Sequence, residues 1–308
     1  MYEKRVLITG TSGLLGGNLL NLLPVEWELV GIVHTNNLKP LDKRVSFLKL
    51  DFLHSDFLNS IEKSGPYDAI IHCAAFTNVD RCEVERETAY LLNVESTARL
   101  ATYAGLNNIH FIHISTDHIF DGKKGGYTET DIPNPVNYYA ETKLNAEKKV
   151  ESLAREYTII RTNFFGFNIQ PKHDIAGWML DSLRAREVRN LFTDVYFSPL
   201  LVNRVVEILK EIIEQRVLGL FHITAPDSCS KYEFGLKLGQ VFGLDTSVFH
   251  PCLIEDVKSL ISRPKNMSLN TKKAQKILKT KLPKIDESIL EYKELYMSKY
   301  PYELRRMG

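Results

Sequence analysis

The sequence predicts an α/β protein: a doubly wound parallel sheet followed by a smaller, mostly helical C-terminal domain. Three observations carry that expectation. Short β-branched runs alternate with longer amphipathic stretches through the first half, a glycine-rich turn joins the first run to the first amphipathic stretch, and the alternation stops after Arg161. Strands covered on both faces read as continuous apolar runs. That is the texture of "RVLIT" (5–9), "ELVGIV" (28–33), "VSFLKL" (45–50), "AIIHCA" (69–74), "IHFIHIS" (109–115) and "YTIIRT" (157–162). Between them, apolar residues recur at helical spacing over about 14–23, 54–63, 84–105 and 137–155. Strand, helix, strand is the order of βαβ units. Beyond Arg161, "NFFGFNIQPKHD" reads as a loop, "IAGWMLDSLRARE" as a helix, and "FTDVYFSPLLVNRVVEILKEII" as an extended piece entering a helix. "SKYEFGLKLGQVFG" and "DESILEYKELYMSK" read as two more helices, and the Lys-rich run 272–284 between them most simply as a solvated helix face and loop, with a binding patch as the alternative.

Composition narrows the class. The 308 residues are 44% hydrophobic, with Lys+Arg 39 against Asp+Glu 38 and a net charge of +1. No basic excess is present to attract nucleic acid, which is not an expected partner. The opening "MYEKRVLITG" passes from charge into an apolar run that ends at Gly10. That run is too brief for a signal peptide or a membrane span, so a cytoplasmic protein without a membrane partner is expected. Cys73, Cys82, Cys229 and Cys252 form no CxxC pair and read as reduced structural thiols. His110 and His113, three apart in a strand, point to opposite faces and share no metal. No metal site is expected.

The residues that carry chemistry fall at strand ends. Gly10, Gly13 and Gly16 have the spacing G-x-x-G-x-x-G after a strand and at the start of a helix. A dinucleotide phosphate loop needs that context, with glycine for the turn, glycine beside the pyrophosphate, and helix amides aimed at the anion. The expected fold is therefore Rossmann-like, with an NAD(P)-binding domain over 1–165, rejoined by some later segments, and a partly interleaved substrate domain over 166–308. At the end of the second strand, where an acid would select NAD, stand His34, Thr35 and Asn36, with Lys39, Lys43 and Arg44 nearby to neutralise a 2′-phosphate. NADPH is the expected cofactor, and NADH use stays open. Asp51 either caps the following helix or accepts from the adenine amino group. Ala74 and Ala75 permit close approach of a cofactor, or reflect tight packing of the turn. Thr77, Asn78, Val79 and Asp80 then face the crevice mouth as substrate-side candidates. The fifth strand delivers Ser115, Thr116, Asp117 and His118 to the same edge, either to meet a substrate carbonyl or to cap a turn. Tyr139 and Lys143, four apart, share one helix face, so an ammonium can lie near a phenol and lower its pKa. Tyr138 lies about 100° away round the helix.

Taken together, "TGTSGLLG", "CAAFTNVDRCE", "LNVEST", "STDHIFDG", "YAETKLNAE", "IIRTNFFG", "TDVYFSP" and "RPKNMSLNTKKA" resemble, in order and spacing, the extended short-chain dehydrogenases/reductases, and among them the dTDP-4-dehydrorhamnose reductase group. The resemblance covers essentially the whole chain. It implies NADPH-dependent reduction of the C4 keto group of a nucleotide-activated 4-keto-6-deoxysugar for cell-surface polysaccharide synthesis. In that reading Tyr139 is the general acid, Lys143 holds the nicotinamide ribose, Thr116 bonds the carbonyl, and Asn93 supports the lysine through water. The implied cofactor set is Gly10, Thr11, Ser12, Gly13, Leu14, Leu15, Gly16, His34, Thr35, Asp51, Phe52, Cys73, Ala74, Ala75, Thr77, Ser115, Tyr139, Lys143, Asn163 and Phe164. The implied substrate set is Thr77, Val79, Thr116, Asp117, His118, Tyr139, Phe164 and Trp178. The group's usual tyrosine after "STD" is His118 here, and "NFFGFN" replaces a "W-V-Y-G" run. The identity of the sugar and its nucleotide is left open by those departures, and a homodimer is one expected assembly. Two alternatives accompany this reading: an epimerase or dehydratase of the same superfamily, or a non-catalytic NADP-binding subunit resembling the regulatory subunit of methionine adenosyltransferase.

Overall fold

The computed structural model of the chain describes residues 2–170, 174–257 and 261–308. Pro171, Lys172 and His173, part of the expected "NFFGFNIQPKHD" loop, lie outside the described residues. The central sheet contains β1 (Lys4–Thr9), β2 (Trp27–Val33), β3 (Val45–Lys49), β4 (Ala69–His72), β5 (His110–Thr116), β6 (Tyr157–Thr162) and β7 (Gly219–Ile223). Its order is β7-β6-β5-β4-β1-β2-β3, and every neighbouring pair is parallel. The six expected strands are present, and β7, supplied by the second half of the chain, is an addition. Chain order reverses between β1 and β4, so the loops leaving their carboxyl ends diverge and open a crevice.

Alternate residues of each strand enter different apolar layers, which explains the unbroken hydrophobic runs. Leu7, Ile70, Phe111 and Ile159 pack with Phe57 and Ile61 of α2 (Phe57–Ser64) and with Leu100, Ala101 and Ala104 of α5 (Ser96–Asn107). Their neighbours Ile8, Ile71, Ile112 and Ile160 join the opposite layer, with Leu15 and Leu19 of α1 (Leu14–Leu22) and Val205, Ile208, Leu209 and Ile212 of α8 (Val202–Gln215). The expected helix at 84–105 is more elaborate than its pattern: a short α3 (Val79–Val84) precedes it, and α4 (Arg86–Tyr90) runs through a π turn at Leu91–Glu95 into α5. The remaining helices are α6 (Tyr138–Leu153), α7 (Ile175–Ala185), α9 (Lys231–Phe242), α10 (Lys272–Ile277), α11 (Ile285–Met297) and α12 (Tyr300–Arg305). The Lys-rich run is helical only as α10, whose Lys273 reaches the Leu220 carbonyl at 2.7 Å. Among the described residues no helix is long and apolar enough to cross a membrane.

Three of the sheet's histidines are buried as neutral rings. His72 sits between the Thr9 and Thr97 hydroxyls at 2.8 and 2.9 Å, His110 lies 2.7 Å from the Thr158 hydroxyl, and His222 donates from Nδ1 to the Tyr127 carbonyl at 3.0 Å. Burial pushes their pKa values down, to about 3, about 4 and about 3 respectively. The unfolded chain therefore binds protons near pH 6.5 that the folded chain refuses, and stability falls as pH drops from there toward 4. Each ring contributes about 1.4 kcal/mol per pH unit in that window. Urea unfolding at pH 5 should show at least four protons taken up by histidine, one for each of these rings and one for His113, which burial also holds neutral, and His110→Gln should remove about one of them. A flat stability profile across that window would contradict the assignment of neutral buried rings.

Candidate active site

The turn after β1 leaves no room for a Cβ at Gly10 or Gly16. Gly10 has φ +67°, and a Cβ there would stand 2.8 Å from the Ala74 nitrogen. A Cβ on Gly16 would come within 2.3 Å of the Gly10 carbonyl oxygen. Gly13 caps α1 in extended conformation without a side-chain cap, so the first-turn amides face outward with the positive end of the helix dipole. These features suit a pyrophosphate approaching the backbone.

A crevice of about 670 Å³ runs from this turn along the sheet edge. Of the expected cofactor residues, Gly10, Ser12, Gly13, Leu14, Leu15, Gly16, His34, Asp51, Phe52, Cys73, Ala74, Ala75, Thr77 and Phe164 line it. So do Ile32, Asn36, Leu50, Leu53, Leu92, Ile114, Asn168, Gln170 and Asp174. Of these, only Asn36 was singled out by the sequence, although most of the others directly follow a strand or a named motif. At the far end His34 and His54 converge on the Asp51 carboxylate at 3.4 and 3.8 Å. The other Asp51 oxygen accepts from the Leu53 amide at 2.9 Å, which closes a local turn; the following helix α2 has Asp56 at its N-cap, so Asp51 does not cap it.

Several expected placements need correction. Arg44 does not face the adenosine end: its guanidinium is buried against the Leu20, Leu23 and Pro24 carbonyls at 2.8–2.9 Å, where it caps the end of α1. Thr11 is fully buried and spends its hydroxyl on the Ile32 carbonyl at 2.7 Å. Thr35 is exposed and, like Lys39 and Lys43, stands outside the crevice lining. Ser115 turns away to donate to Glu147. Trp178 is also turned away from the crevice. Ala176, Met179, Leu180 and Leu183 occupy the core face of α7, and Trp178 is left 39% exposed beneath the Arg189 guanidinium.

The residues expected to react lie where β5 ends and α6 begins. Asn137 caps α6 by accepting the Ala140 amide at 3.0 Å, and one turn of helix then sets Tyr139 and Lys143 on the inner face, both buried. Tyr139 packs with Cys82 and Ala89, beside Phe76 and Val79, and meets the His118 ring edge-on at 6.0 Å. Burial drives its phenol upward, against the opposing hydrogen bond of Thr116. The expected lowering of this phenol by Lys143 is therefore not what the fold produces, because burial dominates and the ammonium is held elsewhere. It donates to the Ile114 carbonyl at 2.7 Å and lies 3.3 Å from His113 Nε2. Burial lowers Lys143 to about 8, against Glu147 and Cys73. Tyr138 is only half-buried, under Arg86 at 4.8 Å.

Asn93 sits in the π turn. Its amide clamps both backbone groups of Phe76, at 2.7 and 3.1 Å, and donates to the Thr142 hydroxyl at 2.9 Å. It thus ties the loop after β4 to the helix carrying Tyr139 and Lys143. Thr116 accepts the His118 amide at 3.2 Å and donates to Asp117 at 3.2 Å, while Asn163 donates to the other Asp117 oxygen at 2.9 Å. Facing Asp117 is Lys231, read from the sequence only as part of a helix. Its ammonium lies 3.0 Å from the Phe197 ring centre, and burial lowers it to about 7. Arg263 closes the same side through an ion pair with Asp80 at 2.9 Å. Among the described residues no group of three His, Cys, Asp or Glu side chains is placed to hold a metal.

Residues 4–297 match the family described as RmlD substrate binding domain. The chain is 30% identical to the dTDP-4-dehydrorhamnose reductase of Aggregatibacter actinomycetemcomitans over 286 residues, 88% of this chain and 92% of that one. It is also 30% identical to methionine adenosyltransferase 2 subunit beta of Danio rerio, over 86% of this chain and 82% of that one. The crystal structure of a Bacillus anthracis dTDP-4-dehydrorhamnose reductase in complex with NADP superposes with a TM-score of 0.82 at 25% identity, covering 96% of this chain and 99% of that one.

Proposed function

The chain belongs to the RmlD substrate binding domain family, and from that premise we propose that it reduces the C4 keto group of a nucleotide-activated 4-keto-6-deoxysugar with NADPH, for cell-surface polysaccharide synthesis. NADH remains an acceptable substitute, because His34 and Asn36 at the crevice end are neither acidic nor a dedicated cationic clamp. In this reading the reaction belongs in the cytoplasm. One observation supports the reading most directly: Tyr139 and Lys143 share the buried face of α6, and the Lys143 ammonium bonds the carbonyl of Ile114, which lines a crevice floored by glycine.

When bound, NADPH supplies the hydride. Tyr139 holds the proton destined for the C4 oxygen, and its raised pKa keeps the phenol intact until that oxygen gains negative charge. The phenol O–H then breaks as the new O–H forms, leaving an alcohol at C4 and a phenolate on the enzyme. Thr116 orients the carbonyl, and the Lys143 ammonium holds the nicotinamide ribose. Asn93 holds α6 against the loop after β4, which keeps the acid in register. Thr77, Val79, Asp117, His118 and Phe164 form the sugar side of the site in this reading.

The test is a purified protein given NADPH and a panel of 4-keto sugars carrying dTDP, UDP, GDP or CDP. Loss of reduced nicotinamide absorbance with at least one of them is expected; no consumption across the panel would overturn the reading. A second reading, a non-catalytic NADP-binding subunit, is favoured by the equal identity to the methionine adenosyltransferase subunit. Absence of turnover together with a co-purifying partner enzyme would select it.

A further inference from the structure

We propose that His113 is a positioning residue for Lys143: its Nε2 accepts one hydrogen of the ammonium and aims the group at the crevice. The inference rests on the reductase reading for its kinetic consequence, but not for its geometry. His113 Nε2 lies 3.3 Å from Lys143 Nζ, and the Ile114 carbonyl, next along β5, accepts from the same Nζ at 2.7 Å. Both side chains are buried.

The pair has only one consistent polarity. An ammonium has no lone pair, so the ring nitrogen facing it must be the acceptor and the imidazole proton must sit on Nδ1. That Nδ1 is buried and has no hydrogen-bond partner among the described residues. A buried donor left unpaired is costly, and a purely structural histidine would turn or exchange its proton to relieve it. Here relief would point an N–H at the ammonium. The unpaired Nδ1 is thus the consequence of keeping Nε2 bare for Lys143.

With two hydrogens fixed by His113 and Ile114, the third remains for a group in the crevice, where Ile114 and Cys73 form the floor. Other titratable groups also face this ammonium: His72 and Cys73 from the end of β4, and Glu147 one turn further along α6. His113 itself is held neutral by burial first and by the charge of Lys143 next. Taking away its lone pair favours the amine over the ammonium. The alkaline limit of activity, set by a lysine already lowered to about 8, then moves toward acid.

Two measurements test this. In wild-type protein labelled with ¹⁵N-histidine at neutral pH, the signal that vanishes in His113→Gln should be that of a ring protonated on Nδ1 with Nε2 bare. A ring protonated on Nε2 would overturn the proposal, whether or not the protein turns over any sugar. In kinetics, His113→Phe should move the alkaline limb of kcat/KM down by about one to two pH units. His113→Gln, whose amide oxygen can accept, should keep the limb near its wild-type position. A folded His113→Phe enzyme with an unmoved limb also overturns the proposal; if that variant fails to fold, the tautomer decides alone. Failure of wild-type turnover with a bare Nε2 would sink the reductase reading and leave the positioning intact.

Discussion

Tyr139→Phe is expected to lower kcat about 10²- to 10⁴-fold, the range associated with removing a positioned proton donor. The KM for reduced cofactor should barely change. The phenylalanine ring retains the packing against Cys82 and Ala89, so the variant should fold normally and lose only the hydroxyl that meets Thr116. Tyr138→Phe is the control, because Tyr138 rests half-buried under Arg86, about 100° round the helix from Tyr139. Its turnover should be nearly intact. Comparable losses in the two variants would show that the defect is in the helix, and would remove Tyr139 from its role as the acid.

The largest expected stability loss comes from a pair that never enters the crevice. Glu147 and Arg161 have side chains only 4% exposed, joined by three hydrogen bonds of 2.7, 3.1 and 3.2 Å. Ser115 donates to the same carboxylate, and the guanidinium lies 5.4 Å from the Phe120 ring centre. Glu147→Leu leaves that guanidinium buried without its counter-charge and should cost about 3–5 kcal/mol in urea unfolding. Removing both charges, as Glu147→Leu with Arg161→Met, should recover most of that loss, because desolvating an unmatched charge is the dominant cost. A double variant as unstable as the single one would mean that packing, not charge, sets the loss.

Much of this architecture is legible in the chain because each of the first six strands is covered on both faces and so carries its own unbroken apolar run. β7 escapes notice because "GLFHI" is short, follows a helix, and includes a histidine whose burial is made acceptable by Tyr127 and Arg161, both far away in sequence. α3 escapes because Cys82 is its only buried residue. Crevice residues are legible where they sit at strand ends, a position that topology alone assigns. Orientation is not legible in the same way: Arg44 is next to the adenosine end in sequence, yet the unfilled carbonyls of α1 claim it, and the apolar stripe of α7 turns Trp178 outward. His113 read as an idle strand histidine because its partner lies 30 positions away.

The π turn at Leu91–Glu95 works as a phase shifter between two helices that serve different masters. Before it, Ala89 faces the cluster around Tyr139; after it, Leu100, Ala101 and Ala104 face the sheet. A continuous α-helix advances about 100° per residue, and one extra residue in a wide turn supplies the offset that lets both faces be right at once. This makes the segment far more sensitive to length than to composition. Deleting a single residue there would restore a regular helix, keep the sheet-facing stripe, and swing Asn93 and everything before it about 100° out of register. The chain would keep its core and lose the alignment of its site.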